Sequence, residues 1–390
     1  MKEEVKYYPV NWIDGMKINK DHFIAQENAF SSALHNFLSP NLSPIRYGIV
    51  RSDASGRGSF NVKVSADNQN AIRVNVLSCQ AITPGGVWLG VPGSAALQRC
   101  TGEGENAVTL PFLATEGENT YWVLLTVNPY DRIPFGAPDP SEMPPRFPYI
   151  IASCTVLVVS NSQYLQFAYH PYAIVIGKLT LNGNEIRVDE SYIPPCYTVS
   201  AHPDLLAFLG ETDQFLSNME RRCTQIVQKI LKKNQQNNLS QLVSFLCDRL
   251  MLFIGPNITE LRYTAAHEAP VKLLTPILSI ARIMKNTIDF HLGSGKEELM
   301  NYLSEWCDMN QSDLENMLNG LSIFQYDHNN IGTSVQAIRK FMFVTSQLFD
   351  TLSNLEFIGK RRDTGIFIKE ENKENTVASE EPKPRRKFFG

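Results

Sequence analysis

The sequence predicts an α+β chain of several domains: an antiparallel β-sandwich, then an α-helical bundle, then a disordered tail. Three observations predict it. Between Tyr47 and Ile193 apolar side chains recur with a period of two, and from Pro203 to Leu355 they recur with helical spacing. Beyond Lys360 apolar residues become sparse and charge dominates. A length of 390 residues is enough for two or three domains with real cores.

Residues 1–45 are expected to form a motif segment and a short helix packed on the sheet domain. The run Trp12-Ile13-Asp14-Gly15-Met16 is followed by His22-Phe23 and then Gln26. Trp12, Met16 and Phe23 suit apolar anchors, with Gly15 turning the backbone between them. Phe30, Leu34 and Phe37 extend that apolar face along the helix, as a buried face. The sequence leaves open whether this plug fills its own domain or offers a socket to another protein.

Residues 46–196 are predicted to be the sandwich. Phe60–Val64 and Ala71–Val76 alternate apolar and polar residues, as a strand with one wet face does. Gly85-Gly86 separates Ile82 from Val87-Trp88-Leu89, which predicts a hairpin. Further strands are expected over Tyr121–Val127, Cys154–Val159, Tyr164–Ala168 and Ile174–Leu181. Asn182-Gly183-Asn184 then turns the chain into Glu185–Val188. The Pro-rich stretch from Pro129 to Pro148 is predicted to be a long loop.

Residues 197–359 are predicted to form a four-helix bundle. Two prolines after Tyr192-Ile193 end the sheet, and Pro203 opens a long helix where a missing N–H costs nothing. Leu205, Leu209, Thr212, Leu216, Met219, Cys223, Ile226 and Ile230 follow alternating four- and three-residue steps. Such a narrow heptad seam predicts coiled-coil packing against other helices, and so an oligomer. A helix is expected over Leu239–Ile254, ending at Gly255-Pro256. Others follow over Pro270–Ile288 and Thr333–Leu355, with short helices within Glu297–Leu321. Residues 360–390 are expected to be a charged flexible tail with two apolar islands, Ile366-Phe367-Ile368 and Phe388-Phe389, as docking candidates.

Enzyme signatures are missing. Gly293-Ser294-Gly295-Lys296 lacks the first glycine of a phosphate loop, and Glu297 stands where that loop needs a hydroxyl. The seven histidines have no metal-ligand spacing, and the seven cysteines are scattered as reduced, structural thiols. His22 and His328 are therefore expected to be structural hydrogen-bonding groups. No catalytic residue, cofactor or metal is expected. A net charge of −4 argues against nucleic acid as a partner. Apolar runs such as Val156–Val159 are too short to span a bilayer, and the charged start has no signal-peptide core, which predicts a cytoplasmic chain.

The opening cluster resembles that of the TssK (ImpJ/VasE) family of type VI secretion baseplate proteins. That family begins Trp-x-Glu-Gly-Met and continues to His-Phe-Gln and a further Gln; here Asp14 replaces the Glu and Lys20-Asp21 replace Pro-Gln. Other landmarks resemble the family in order: Tyr192-Ile193-Pro194-Pro195, Ala201-His202-Pro203, His267 to Pro270, and Tyr326-Asp327-His328. The resemblance implies a shell like that of phage receptor-binding proteins, followed by a helical neck. It also implies a non-enzymatic homotrimer that binds the wedge proteins TssF and TssG through the shell. Membrane-side proteins would be reached from the C-terminal end, at the inner face of the bacterial inner membrane. Family members carry a compact head after the neck; the short charged stretch beyond residue 359 suggests a headless variant. Alternatives are a phage-derived tail or receptor-binding protein, or an enzyme with an unrecognised site in the β domain.

Overall fold

A computed structural model describes residues 7–51, 60–66, 71–91, 108–112, 114–167, 170–183, 185–291 and 293–359. The docking candidates Ile366, Phe367, Ile368, Phe388 and Phe389 lie outside these. The chain is α+β, with antiparallel sheets preceding a set of packed helices. A first helix, α1 (Lys20–Leu38), precedes both.

One sheet is organised around β3 (Ala71–Ile82). It pairs antiparallel with β1 (Gly48–Ile49), β2 (Phe60–Ala66), β4 (Trp88–Val91) and β5 (Val108–Pro111). The β3–β4 hairpin turns at Gly85-Gly86, as the sequence predicts. The second sheet has the order β7-β6-β8-β9, from β6 (Thr120–Phe135), β7 (Tyr149–Ser160), β8 (Ala173–Asn182) and β9 (Glu185–Val188). The sheets meet closely where β8 has no side chain: a Cβ on Gly177 would lie 3.3 Å from a Val64 methyl.

Two expectations about this region are corrected. The Pro129–Pro148 stretch is not all loop, because Arg132–Phe135 re-enter the ladder opposite Tyr149–Ala152. Pro129 falls in the register shift between Asn128 and Arg132, where no ladder N–H is required. The segment predicted as a strand from Tyr164 is instead a short helix, α2 (Asn161–Phe167). Tyr164 and Phe167 sit three apart on it, and Tyr164 stacks on Trp122 at 4.5 Å between ring centroids. That helix covers the outer face of the second sheet, burying Trp122, Leu124, Val159 and Val175. The alternate residues Val123, Leu125 and Val127 point the other way, into the main core.

The helices are α3 (Pro203–Lys232), α4 (Asn238–Thr264), α5 (Val271–Phe290), α6 (Ser294–Trp306), α7 (Gln311–Ser322) and α8 (Ile331–Asn354). Their apolar faces join the sheet interior in one continuous core. The predicted end of α4 at Gly255-Pro256 is corrected: the helix runs through Pro256 to Thr264. Pro256 withdraws the amide that would bond the Leu252 carbonyl. In α5 the internal Pro276 leaves the Lys272 carbonyl short of a donor; the Thr275 hydroxyl donates to it at 3.2 Å. By length and composition α4 would also suit a membrane crossing. Here Leu242, Leu246, Leu250 and Ile254 are buried in the bundle.

The seam on α3 is buried by this chain's own helices. Leu205, Leu216, Met219, Ile226 and Ile230 are buried, Leu209 is half-buried, and Phe208 and Phe215 are buried beside them. The apolar face is thus wider than the heptad stripe suggested, as a bundle helix requires. The inference from this seam to an oligomer is withdrawn, because its side chains already have partners. At the far end the Lys229 ammonium donates to the carbonyls of Ser353 and Leu355, capping the C-terminus of α8.

Candidate docking surface

The opening cluster builds a small scaffold, and the structure assigns each residue a place. Gly15 takes a positive φ of 77°, with nothing within 4 Å of a would-be Cβ, and the Met16 amide closes the turn on the Ile13 carbonyl at 3.2 Å. Asn19 caps α1 by accepting from the His22 amide at 3.1 Å, while the His22 Nδ1 accepts from the Asn19 amide at 3.3 Å. His22 is therefore half of a capping box, which is a structural duty. Gln26 reaches back to accept from the Val10 amide at 3.0 Å, tying the leading segment to the helix. The Trp12 ring lies edge-on to His22 and tilted against Phe23, with centroids 6.1 and 6.2 Å apart.

Polar groups hold α1 to the extended β6–β7 hairpin. The Arg132 guanidinium pairs with Glu27, and donates to Asn28 Oδ1 at 2.8 Å and to the Ile24 carbonyl at 3.4 Å. Tyr7 stacks on Tyr130 at 4.1 Å. Replacing Arg132 with Ala should speed amide exchange in Phe23–Phe30 about tenfold while leaving bundle amides unchanged, as loss of one half-buried charged donor implies.

The expected burial of the plug is corrected here. Phe23, Phe30, Leu34 and Phe37 are 57–75% exposed, and Trp12 is 46% exposed. Steps of seven, four and three residues put the four on one face of α1, turned away from the sheet. The face that meets the sheet is built instead from small and polar residues, with Ala29 buried. An exposed row of three phenylalanines and a leucine is unusual for a surface left in water.

A second group of landmarks converges elsewhere. The Tyr192 hydroxyl donates to the Asn329 carbonyl at 2.9 Å, and the Tyr47 hydroxyl donates to Asn329 Oδ1 at 2.7 Å. His328 Nε2 lies 2.9 Å from the Tyr47 carbonyl, so it carries the proton; Nδ1 then accepts from the Tyr326 hydroxyl at 2.8 Å. Pro195 offers its carbonyl to the Ile49 amide at 2.7 Å, and the Ile49 carbonyl accepts from the Tyr197 amide at 2.8 Å. Pro194 accepts from the Cys196 thiol at 3.2 Å. Burial pushes His328 down to about 4 and holds the Tyr192 and Tyr326 phenols well above their ordinary range. These residues weld the sheet to the bundle. Tyr47 and Asn329 were missed from sequence, although Asn329 directly follows the Tyr-x-His landmark.

Catalytic geometry does not assemble around these groups. His328 is buried between two tyrosines, and Lys296 is engaged by Asp289 at 2.8 Å and Glu315 at 3.4 Å. Among the described residues no three His, Cys, Asp or Glu side chains gather as a metal site. The described cysteines are free thiols, and burial pushes Cys79 up to about 12.

Comparison with known proteins finds a partial family match. Residues 170–270 match the family described as bacterial type VI secretion, VC_A0110, EvfL, ImpJ, VasE. The matched segment runs from β8 through Tyr192–Pro195 and across α3 and α4, so it contains Tyr192 and Pro195 of the junction. No curated protein matches the chain in sequence. Among solved structures, a TssK crystal structure is 15% identical, covering 88% of this chain and 70% of that one, with a TM-score of 0.49. TssK from the type VI system of EAEC, bound to a nanobody, is 13% identical over 84% of this chain and 99% of that one, with a TM-score of 0.44. A chain of the TssK-TssF-TssG baseplate subcomplex is 12% identical over 88% of this chain and 100% of that one, with a TM-score of 0.46.

Proposed function

We propose that the chain is a non-enzymatic structural adaptor of a type VI secretion baseplate. The observation that carries this is the VasE/ImpJ match over residues 170–270. In this reading residues 46–196 are a shell, residues 197–359 a neck, and residues 1–45 a docking element on the shell. The adaptor works as a homotrimer in the cytoplasm, at the inner face of the inner membrane, and meets membrane-side proteins from its C-terminal end. TssF and TssG homologues are its wedge partners, by analogy with the solved TssK-TssF-TssG subcomplex. The exposed Phe23, Phe30, Leu34 and Phe37 row supports α1 as the surface that docks on them.

A pull-down from the native cell tests this. The full chain should recover TssF and TssG homologues, and the double variant Phe30→Asp/Phe37→Asp should lose them. Two desolvated phenylalanine anchors imply a loss of affinity of about 100-fold or more. Both side chains are exposed, so thermal unfolding of the variant should match the parent. Recovery of neither homologue by the full chain overturns the partner assignment. Equal recovery by both chains moves the contact away from α1. Light scattering that returns 43.9 kDa overturns the trimer.

A further inference from the structure

The bundle carries a groove that the reading above does not use. It lies between α4 and α5, holds about 490 Å³, and is lined mainly by Phe245, Arg249, Leu252, Phe253, Ile283 and Phe290. Leu252 is 79% exposed and Phe290 70% exposed. The Arg249 guanidinium sits 4.4 Å from the centroid of the Phe245 ring, and among the described residues no carboxylate pairs with it. An apolar trough beside a cation without a counter-ion suits an apolar segment followed by acidic residues.

The path of the chain supplies such a segment. The last described residues are pinned at the head of α4. The Ile358 amide donates to Gln235 Oε1 at 3.0 Å, Asn237 Nδ2 donates to the Ile358 carbonyl at 3.2 Å, and the Gly359 amide donates to the Tyr302 hydroxyl at 3.0 Å. Asn238, the first residue of α4, shares a helical face with Phe245, Arg249, Leu252 and Pro256, through steps of seven, four, three and four residues. The groove thus begins about 10 Å along the helix from the exit point and continues for about another 10 Å to Leu252. From Gly359 the sequence reads Lys360-Arg361-Arg362-Asp363-Thr364-Gly365, then Ile366-Phe367-Ile368, then Lys369-Glu370-Glu371. Eight residues from Gly359 to Phe367 extend to about 27 Å, which covers that distance with slack.

We infer that Ile366-Phe367-Ile368 docks in cis into the α4–α5 groove of the same chain, with Phe367 against Phe245 and Phe290 and with Glu370 and Glu371 facing Arg249. The groove is the receptor for the apolar island, and a partner segment of similar chemistry would have to displace it. The short connection gives the cis segment a high effective concentration over any free competitor.

Amide hydrogen exchange on the full chain tests the docking. Wild type should show protection at 366–368, and Phe367→Asp should abolish it and speed exchange at 249–256 and 286–290 about fivefold. Leu252→Asp changes an exposed groove residue and should release 366–368 to the same extent. Protection should not change on tenfold dilution. Unprotected 366–368 in wild type overturns the inference, as does groove exchange that Phe367→Asp leaves unmoved. Protection that falls on dilution overturns the cis assignment and makes a second copy the occupant.

Discussion

Replacing Gly48 with Ala should lower stability by about 4 kcal/mol or more, read as a fall in the urea midpoint at constant slope. Gly48 has a φ of 109°, a region L side chains rarely enter, and a Cβ there would lie 2.1 Å from the Pro195 carbonyl oxygen. No side chain can rotate away to relieve this, because the obstacle is backbone. Relief requires β1 to leave the 195–197 segment, breaking the buried hydrogen bonds from Ile49 to Pro195 and from Tyr197 to Ile49. Backbone strain of about 1–3 kcal/mol and two orphaned buried groups at about 1–3 kcal/mol each make up the expected loss. Because sheet and bundle share one core, the transition should move as a whole. Two controls separate this close approach from glycine effects in general. Gly183 also has a positive φ but open space around it, so Gly183→Ala should cost only about 1 kcal/mol. Gly210 lies inside α3 with nothing within 4 Å, so Gly210→Ala should stabilise by about 0.5–1 kcal/mol.

The Gly48 contact also shows where sequence reasoning stops. Alternating residues in β2 and β3, the turn at Gly85-Gly86 and the helical periods of α3, α5 and α8 were legible because each is a local pattern. Pro256 misled because a proline is a local stop signal, whereas tertiary packing of Ile254, Ile258 and Leu261 carries α4 through it. The heptad on α3 was read correctly as a helix but misread as a seam for other chains. Phe208 and Phe215 widen its face only when α8 and α4 are in place to cover them. The opening cluster was identified as a unit, yet which side of α1 faces water depends on Arg132, which lies 105 residues from Glu27 in sequence. The ordered landmarks at Tyr192 and His328 were visible, but their meeting through Asn329 is a long-range fact without a local period.

That meeting makes stability depend on acidity in a direction fixed by the geometry. His328 is 1% exposed and held neutral, donating from Nε2 to the Tyr47 carbonyl and accepting at Nδ1 from Tyr326. A second proton on the ring would force the Tyr326 hydroxyl to turn from donor to acceptor and would leave a positive charge shielded from water, and burial accordingly pushes the group from 6.5 down to about 4. Between these values the unfolded chain binds the proton and the folded chain does not, so stability rises with pH across the window. The contribution is fully present above about pH 6.5, declines as pH falls, and is about 3 kcal/mol smaller at pH 4. His328→Gln keeps a donor and an acceptor but cannot titrate. It should be less stable than wild type at neutral pH, because the amide does not reproduce the imidazole geometry between Tyr47 and Tyr326. Its stability should fall by about 3 kcal/mol less than wild type between pH 7 and pH 4, since all other titrating groups are shared. Urea unfolding of both chains across that range measures the difference. Parallel pH profiles would mean that His328 is not the group through which acid loosens the weld between sheet and bundle.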